Sequence, residues 1–505
     1  MTGPMPLRGD FDTVGQVLDA AADQYGDREA YVEPGGSRIG FAAWARASAG
    51  LAGALAERGI GRGDVVALML PSSIDYAICY AALARLGAIT TGLNTRLGPR
   101  EVAGILDLAG PALVIRDARA MPADPPPGIP VLERAELAGT YDHPAPMHHA
   151  EVSASDPVVV IWTSGTTGTP KGAWFDHRNL AASAAAAGVM SAPHDRKLVA
   201  TPFAHAGYMA KLWDQLAWGT TVVISPAPWS APAMARLLRE ERITVAGAVP
   251  TQWAKLLEEP DDGPLPDLRV GIAATAPAPP ELVERTVKRF GVALVVRYAM
   301  TESPTICGTE PGDPPETQFR TVGRPQEGVE VQVTDDEGRP VPTGVTGRVR
   351  VRGGCVMRGY WDRPDLTAEV LAPDGWLRTG DFGHVTSDGD LVLAGRASDL
   401  YIRGGYNVYP LEVENVLSEH PGVAKVAVVG TPAPVIGEIG VAFVVPADPA
   451  RPPGRDELRD WTRARLADYK APDHVEVVGG LPLTPMLKTD RVALREAAAG
   501  LGVRR

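Results

Sequence analysis

The sequence predicts an α/β protein, with a large N-terminal domain of α and β layers on parallel sheets and a small α+β C-terminal domain. The first observation is alternation: apolar runs typical of strands, at 65–70 and 113–115, flank a helical pattern at 74–86. Strands that alternate with helices favour parallel sheets. The second observation is length, because 505 residues suffice for two or more domains with a large core.

The middle of the chain adds two features to this outline. The apolar run at 158–162 predicts a buried strand. Before it, residues 121–157 are rich in proline, histidine and aspartate, and we expect an irregular excursion there and not a domain boundary. After it, short β-rich runs within 320–359 predict an antiparallel or barrel-like piece attached to the large domain.

The sequence changes character after residue 395. A helix is predicted at 410–417, with a proline in its first turn, and Pro421-Gly422 ends it. Strands at 425–429 and 441–445 and a helix near 457–466 complete a unit of about a hundred residues, a common domain size. We therefore expect an N-terminal domain of residues 1–398 and a C-terminal domain of residues 399–505.

Composition excludes several classes of function. Hydrophobic residues make up 45% and charged residues 22%, an ordinary globular balance. The net charge of −12 argues against a nucleic-acid partner and against docking on an anionic membrane. The three cysteines show no metal-ligand or redox spacing. We find no signal peptide and no apolar run near the ~20 residues of a membrane span, so we expect a cytoplasmic protein.

The most informative segment follows the strand at 158–162. Its residues are Thr163, Ser164, Gly165, Thr166, Thr167, Gly168, Thr169, Pro170, Lys171 and Gly172. Glycines let the backbone approach a ligand, hydroxyls and exposed N–H groups can cradle phosphate oxygens, and a lysine adds a positive charge. The spacing differs from the Walker pattern, because Gly172 follows Lys171.

This string resembles the phosphate loop of the adenylate-forming superfamily, which comprises acyl-CoA synthetases, adenylation domains of peptide synthetases and luciferases. Further segments resemble that superfamily in the same order along the chain, from about residue 10 to residue 495. The resemblance implies ATP, Mg²⁺ and coenzyme A as cofactors. It also implies that the C-terminal domain is mobile and that Thr163 to Gly168 and Lys171 bind ATP.

The segment Tyr298-Ala299-Met300-Thr301-Glu302 is similar to a second motif of the family. By that resemblance Tyr298 stacks on adenine, Thr301 touches phosphate and Glu302 holds Mg²⁺, with Thr166 as a further metal ligand. A carboxylate is a suitable ligand for Mg²⁺, and an aromatic face suits a purine. The weaker match at 274–277 lacks the family's glycines and places Ala276 against the adenine.

Two segments resemble the nucleotide and hinge motifs. Asp381, after Thr379-Gly380, would accept hydrogen bonds from both ribose hydroxyls, since an ionised carboxylate is an acceptor only. In the long match at 395–414, Arg396 would bind ribose or phosphate and Asp399 would be the hinge. Gly404 and Gly405 would line the channel for the thiol arm of coenzyme A.

The segment 483–491 resembles the family's C-terminal catalytic loop. The resemblance makes Lys488 the lysine that bridges the substrate carboxylate and the α-phosphate, and with Glu302 and Thr301 it forms the implied catalytic set. Leu487 stands where the family usually has glycine.

The acid pocket is less well determined. Residues 202–207 resemble the segment that borders the acyl pocket, although His205 could be a structural histidine. From their place beside the motifs, the pocket candidates are His205, Tyr208, Met209, Lys211, Trp253 and Arg297. Arg297 could read a second carboxylate of a diacid, or it could pair with a structural carboxylate. We favour a medium-sized aliphatic, alicyclic or aromatic monoacid.

The resulting functional prediction is an ATP-dependent carboxylic acid–CoA ligase. It would form an acyl-adenylate with release of pyrophosphate and then transfer the acyl group to coenzyme A, giving acyl-CoA and AMP. The main alternative is a stand-alone adenylating enzyme that passes the adenylate to a carrier protein or a non-thiol acceptor. A non-catalytic nucleotide-binding protein is the alternative from another class. We expect a monomer or a homodimer.

Overall fold

The computed structural model describes residues 6–121, 123–144, 151–163, 170–260, 263–274, 278–484 and 488–501. Its strands in the first 400 residues are β1 (Glu29–Val32), β2 (Arg38–Gly40), β3 (Val65–Met69), β4 (Ile89–Gly92), β5 (Leu113–Arg116), β6 (Val131–Glu133), β7 (Pro157–Thr163), β8 (Lys171–Asp176), β9 (Arg196–Val199), β10 (Thr221–Ile224), β11 (Val245–Ala248), β12 (Val270–Ala274), β13 (Leu294–Met300), β14 (Ser303–Gly308), β15 (Arg324–Pro325), β16 (Val329–Thr334), β17 (Gly347–Gly353), β18 (Gly359–Tyr360), β19 (Leu377–Val385) and β20 (Leu391–Arg396). The remaining strands are β21 (Tyr401–Arg403), β22 (Tyr406–Val408), β23 (Val423–Ala433), β24 (Gly437–Pro446) and β25 (His474–Val477).

The helices separate these strands along the chain. They are α1 (Val14–Tyr25), α2 (Phe41–Glu57), α3 (Ile74–Leu86), α4 (Pro99–Ala109), α5 (Arg134–Leu137), α6 (His177–Ala185), α7 (Ala206–Met209), α8 (Leu212–Trp218), α9 (Ala231–Glu240), α10 (Pro250–Leu256), α11 (Pro280–Phe290), α12 (Pro315–Arg320), α13 (Pro364–Val370), α14 (Pro410–Ser418), α15 (Arg455–Arg463) and α16 (Arg491–Gly500). Within the described ranges no helix is long and apolar enough to cross a membrane.

Two large sheets organise the first part of the chain. Among the described residues, one sheet has the strand order β15-β14-β13-β12-β11-β9-β10-β1-β2, and the other has the order β18-β8-β7-β4-β3-β5-β6. Their central strands pair in parallel, while β8, β14 and the strands outside them are antiparallel. A smaller antiparallel sheet, β16-β17-β19-β20, follows. The predicted α/β class and its β-rich piece are confirmed.

The main core lies between the two large sheets, where helix α3 is buried along its whole length. That burial explains why its sequence is apolar nearly all round. The Ser73 side chain caps its first turn by accepting a hydrogen bond from the Tyr76 N–H, and Gly87 ends it with a φ of 69°. The three cysteines are free thiols and all are buried.

The C-terminal part forms its own sheet, with the order β22-β21-β24-β23 and β25 beside β24. Helices α14 and α15 form one hydrophobic cluster with this sheet, and α16 forms another. The chain passes from Arg396 to Tyr401 between the last strand of one sheet and the first strand of the next. The predicted boundary at residue 399 lies in this connection and stays a prediction.

The prediction for residues 121–157 was only partly right. Strand β6 pairs in parallel with β5 at the edge of the seven-stranded sheet, counted over the described residues, and α5 follows it directly. A three-residue edge strand between proline-rich segments carries too short an apolar pattern to be recognised from sequence.

Candidate active site

The phosphate-loop motif joins two antiparallel strands. Thr163, the last residue of β7, is the register partner of Lys171, the first residue of β8. Of the predicted ATP-binding residues, Ser164, Gly165, Thr166, Thr167 and Gly168 lie outside the described residues, as does Ala276. The ammonium of Lys171 lies 5.3 Å from the centre of the Tyr360 ring, on the neighbouring strand β18. Strand pairing therefore places Lys171 opposite Thr163, and its cation lies beside Tyr360.

Thr301 and Glu302 form the turn between β13 and β14, where Met300 is the register partner of Ser303. The Glu302 side chain is buried, and its Oε1 accepts a 2.8 Å hydrogen bond from the hydroxyl of Tyr360. Burial raises the pKa of Tyr360, so that the phenol keeps its proton and donates. Sequence analysis missed Tyr360, because nothing in its local pattern links it to Glu302.

The surroundings of Glu302 fit a magnesium ion. Only one of its two oxygens receives a hydrogen bond from the described residues, which leaves the other for a cation. The described ranges contain no group of three or more His, Cys, Asp or Glu side chains that could hold a metal. Mg²⁺ is commonly bound by one or two carboxylates together with substrate phosphates, so a single carboxylate here is sufficient.

Tyr298, Asp381 and Arg396 come together from three strands. Asp381 and Arg396 are register partners on β19 and β20, and the Arg396 Nε lies 3.2 Å from the Asp381 Oδ1. The Tyr298 hydroxyl donates to the Asp381 Oδ2 at 2.5 Å. Gly380 precedes Asp381 with a φ of 76°, a conformation that favours glycine. Burial raises the pKa of Asp381, while Arg396 and the Tyr298 hydrogen bond act in the opposite direction.

Lys488 reaches this group from the far end of the sequence. Its loop closes on itself, since the Thr484 N–H donates to the Lys488 carbonyl at 2.7 Å. Burial lowers the pKa of Lys488, and the nearby charge of Arg396 lowers it further. Burial also lowers the pKa of His205 to about 4, with the Lys488 charge contributing. The structure thus brings Lys488, Arg396 and His205 close together.

The predicted hinge is held by ion pairs. The Asp399 carboxylate lies 2.7 Å from Arg495 and 3.4 Å from Arg491, both on α16. Gly404 and Gly405, in contrast, are exposed on the turn between β21 and β22, where an added Cβ would meet no heavy atom within 4 Å. In this arrangement Lys488 is partly buried, and the two glycines are exposed.

The predicted pocket residues Tyr208 and Met209 belong to α7. Tyr208 and Met209 are buried, and the Tyr208 ring stacks on Phe203 with 3.6 Å between the ring centres. The Met209 carbonyl accepts a 2.8 Å hydrogen bond from Tyr80. Gly207 is exposed although its neighbours are buried, so that open space lies beside it. The assignment of Tyr208 and Met209 to the acid pocket stays a prediction.

Arg297 is buried in β13 and has structural partners. Its guanidinium donates to the Thr309 carbonyl at 2.7 Å and to the Glu310 carboxylate at 3.1 Å. Its Nε is buried and has no hydrogen-bond partner among the described residues. Burial lowers the pKa of Arg297, and Glu310 opposes that shift. These contacts favour the pairing with a structural carboxylate over the reading of a substrate diacid.

The fold and this site define the adenylate-forming class of enzymes. The chain belongs to the AMP-binding enzyme family, whose model matches residues 18–361, while the model of the AMP-binding enzyme C-terminal domain matches residues 412–488. The resemblance that the motifs indicated is therefore confirmed.

Relatives along nearly the whole chain are ligases. A feruloyl-CoA synthase of Amycolatopsis sp is 36% identical over 462 residues, which cover 90% of this chain and 92% of the relative. A sulfoacetate–CoA ligase of Cupriavidus necator is 32% identical over 505 residues, which cover 96% and 97%. The structure of an amide bond synthetase from Marinactinospora thermotolerans has a TM-score of 0.87 at 32% identity, covering 96% of this chain and 99% of that one. The predicted enzyme class, an AMP-forming acid–thiol ligase, is confirmed.

Proposed function

We propose that this protein is a carboxylic acid–CoA ligase that uses ATP and Mg²⁺ and works through an acyl-adenylate. The observation that carries the proposal is the partly buried position of Lys488, whose charge reaches His205 and is influenced by Arg396, the ion-pair partner of Asp381. Burial disfavours the charge of a lysine, so stability of the fold does not explain why Lys488 is partly buried among the candidate nucleotide-binding residues.

The chemistry requires positive charge at this place. A carboxylate does not react with a thiol, since its leaving group would be oxide. Attack of the carboxylate on the α-phosphate of ATP gives an acyl-adenylate and pyrophosphate, but two anions must approach each other. Lys488 would bridge the carboxylate and the α-phosphate, and Lys171 would lie at the outer phosphates. Fixed cations that meet developing charge are a major source of catalysis.

Two further parts of the site would bind the nucleotide and its metal. Asp381 would accept hydrogen bonds from the ribose, and the Tyr298 ring would stack on the adenine. Glu302, with Thr166 of the loop, would hold Mg²⁺, and the bound ion would neutralise phosphate charge. Tyr360 would keep the Glu302 side chain in one orientation through its 2.8 Å hydrogen bond.

Thioester formation needs a different arrangement of the C-terminal domain. In the structure Lys488 is partly buried within reach of the Arg396 charge, while Gly404 and Gly405 are exposed. We infer that rotation about Asp399 exchanges the Lys488 loop for the glycine turn, so that coenzyme A can reach the adenylate. AMP then leaves, and the thiol sulfur becomes bonded to the acyl carbon. Such a conformational step can limit turnover.

An acceptor other than coenzyme A is the second candidate. The likeness to an amide bond synthetase, with a TM-score of 0.87, favours keeping it, since that enzyme's name implies an amine acceptor. The adenylate step would be the same with either acceptor, and the two proposals differ only in what attacks the adenylate. A carrier-protein thiol would be the remaining acceptor of this kind.

The test is mass spectrometry of the full chain with ATP, Mg²⁺, coenzyme A and a panel of fatty, aromatic, alicyclic and dicarboxylic acids. Acyl-CoA together with AMP from one class of acid supports the ligase. Acyl-adenylate without thioester supports the second candidate. If no acid yields either product, both proposals are wrong.

A variant pair links the result to the site. Lys488→Ala should reduce acid-dependent ATP–pyrophosphate exchange by about 10²–10³-fold, the usual loss when a group that stabilises transition-state charge is removed. Lys425→Ala removes an exposed lysine from the same part of the chain and should leave exchange unchanged. Equal exchange rates in the two variants would contradict the role of Lys488.

A further inference from the structure

A second lysine lies close to the acid-pocket segment and is not used by the proposed mechanism. Lys211 follows Ala210, the residue after α7, and occupies the N-cap position of α8 without a side-chain cap. Its ammonium donates a 2.6 Å hydrogen bond to the hydroxyl of Thr305 on β14. Among the described residues, no carboxylate oxygen lies within 4.0 Å of this ammonium. A lysine that is partly buried in this way normally has an anionic partner.

The other charges around Lys211 are already compensated. Lys197 pairs with Asp214 at 2.7 Å, and Arg297 pairs with Glu310 at 3.1 Å. Burial lowers the pKa of Lys211, Asp214 opposes that shift, and the charges of Lys197 and Arg297 add to it. The cluster therefore holds one more positive charge than negative charge when Lys211 is protonated, and an anion bound there would balance it.

Helix α7 connects Lys211 with the reactive end of the site. It ends at Met209, and Lys211 lies beyond it at the N-cap position of α8, where the residue is only partly buried. Gly207 is exposed, and a Cβ added there would meet only the hydroxyl of Thr201 and the His205 ring within 4 Å. His205, the N-cap residue at the other end of α7, lies within reach of the Lys488 charge. The absent side chain of Gly207 thus leaves room on the short helix between His205 and Lys211.

The position of Thr305 also connects Lys211 with the proposed site. It is three residues beyond Glu302, on the strand that leaves the proposed metal-binding turn, and its hydroxyl accepts the hydrogen bond of the Lys211 ammonium. His205 and Lys211 flank the short helix α7. A group bound by Lys211 would therefore belong to the far end of an acid whose carboxylate lies at Lys488.

We propose that Lys211 determines acid specificity, and that the pocket takes an acid with a second anionic group at the end distant from the activated carboxylate. This inference rests on the proposed function, because it concerns the acid that the same site would activate. It assigns to Lys211 the reading of a second charge, a role for which the sequence suggested Arg297. A distal carboxylate and a distal sulfonate would be bound by the same charge-assisted hydrogen bond.

The test compares acids that share one skeleton and differ only at the far end. 3-Phenylpropanoates with a para carboxylate, sulfonate, hydroxyl or methyl group are assayed by ATP–pyrophosphate exchange with the wild-type protein. We expect kcat/KM to be highest for one of the two anionic acids. The comparison of the carboxylate with the sulfonate identifies which anion is preferred. This comparison needs no variant. A preference for the hydroxyl or methyl acid would overturn the proposal.

A variant then connects the preference with the lysine. Lys211→Met should lower kcat/KM for the preferred anionic acid by about ten- to a hundredfold, the scale of a lost hydrogen bond between charged groups. The methyl acid should be used equally well or better. Lys255→Met, which removes an exposed lysine on α10, is the matched control and should change neither value.

The outcomes separate this inference from the proposed function. If Lys211→Met lowers exchange with every acid to the same extent, or with none, Lys211 is a structural residue and the inference is wrong, while the ligase proposal stands. If the wild-type protein shows no exchange with any acid, the proposed function fails and the inference fails with it.

Discussion

The hydroxyl of Tyr298 donates a 2.5 Å hydrogen bond to one oxygen of Asp381, and Arg396 lies 3.2 Å from the other. Both oxygens of the predicted ribose acceptor are therefore engaged by protein groups. A carboxylate offers about four acceptor positions, so ribose hydroxyls can be added to these two contacts. Because burial alone would favour the protonated acid, the two protein donors also keep Asp381 available as an acceptor.

The first prediction concerns the charge of Asp381. Asp381→Asn keeps the shape of the side chain but removes the charge, and the KM for ATP should rise about ten- to a hundredfold, the scale of a lost charged hydrogen bond. ATP–pyrophosphate exchange at varied ATP concentration measures it. Asp374→Asn, on an exposed turn, is the control and should behave as the wild type. An unchanged KM for ATP in Asp381→Asn would mean that the carboxylate is structural.

The second prediction concerns the link between the phosphate loop and the metal-binding turn. Tyr360→Phe removes the 2.8 Å hydrogen bond to Glu302 but keeps the ring under Lys171. The Mg²⁺ concentration needed for half-maximal exchange should rise about tenfold, because a bond to a charged group is worth roughly 1.5–3 kcal/mol. Titration of exchange activity with Mg²⁺ measures this change.

The control for Tyr360 is another buried phenol. Tyr25→Phe removes a hydroxyl that donates to the Ala217 carbonyl at 3.1 Å, at the end of α1. It should reduce stability modestly and leave the magnesium requirement unchanged. If both variants change the requirement equally, the effect of Tyr360 arises from general loss of stability and not from its contact with Glu302.

Much of the fold could be predicted from sequence, because the signals are local. The fully buried strand β3 and the capped helix α3 have apolar patterns and end residues that are recognisable without a structure. Tyr360 could not be found in this way, and the sequence indicates Lys211 only as one pocket candidate among several. Their contacts are with partners 58 and 94 residues distant in sequence, Glu302 and Thr305, and only strand pairing and helix packing bring those groups together.

The third prediction concerns the hinge. Asp399 is held by Arg495 and Arg491 in the arrangement that partly buries Lys488, so under the proposed function these ion pairs stabilise the arrangement for adenylation. Asp399→Pro fixes φ at this residue and should block rotation. Thioester formation should slow at least about tenfold, since the rotation precedes it, while ATP–pyrophosphate exchange should be nearly intact.

Asp399→Ala is the comparison for the proline variant. It removes the same two ion pairs but leaves the backbone free to rotate, so thioester formation should be retained. Single-turnover assays with coenzyme A added to preformed adenylate measure the second step separately. Equal loss of both steps in Asp399→Pro, or an equal defect in the alanine variant, would argue against a hinge at this residue.

The last prediction concerns stability in acid and a histidine outside the site. His177 is buried, its Nδ1 accepts a 3.2 Å hydrogen bond from the Val14 N–H, and its Nε2 has no partner among the described residues. Burial lowers its pKa to about 4, although Asp176 and Asp156 oppose the shift. The folded protein therefore favours the neutral imidazole of His177.

The direction of the pH effect follows from this shift. The unfolded chain protonates His177 near its ordinary pKa of about 6.5, whereas the folded protein does so only near pH 4. The stabilisation is therefore complete above about pH 6.5 and is lost as the pH falls towards 4, by about 3 kcal/mol in total. His177→Gln should flatten this dependence, and His384→Gln, at a partly buried position on β19, should not. Urea unfolding at about pH 7.5 and about pH 4.5 measures the free energy of unfolding at each pH. If His177→Gln loses as much stability between these two pH values as the wild type, other groups cause the acid sensitivity.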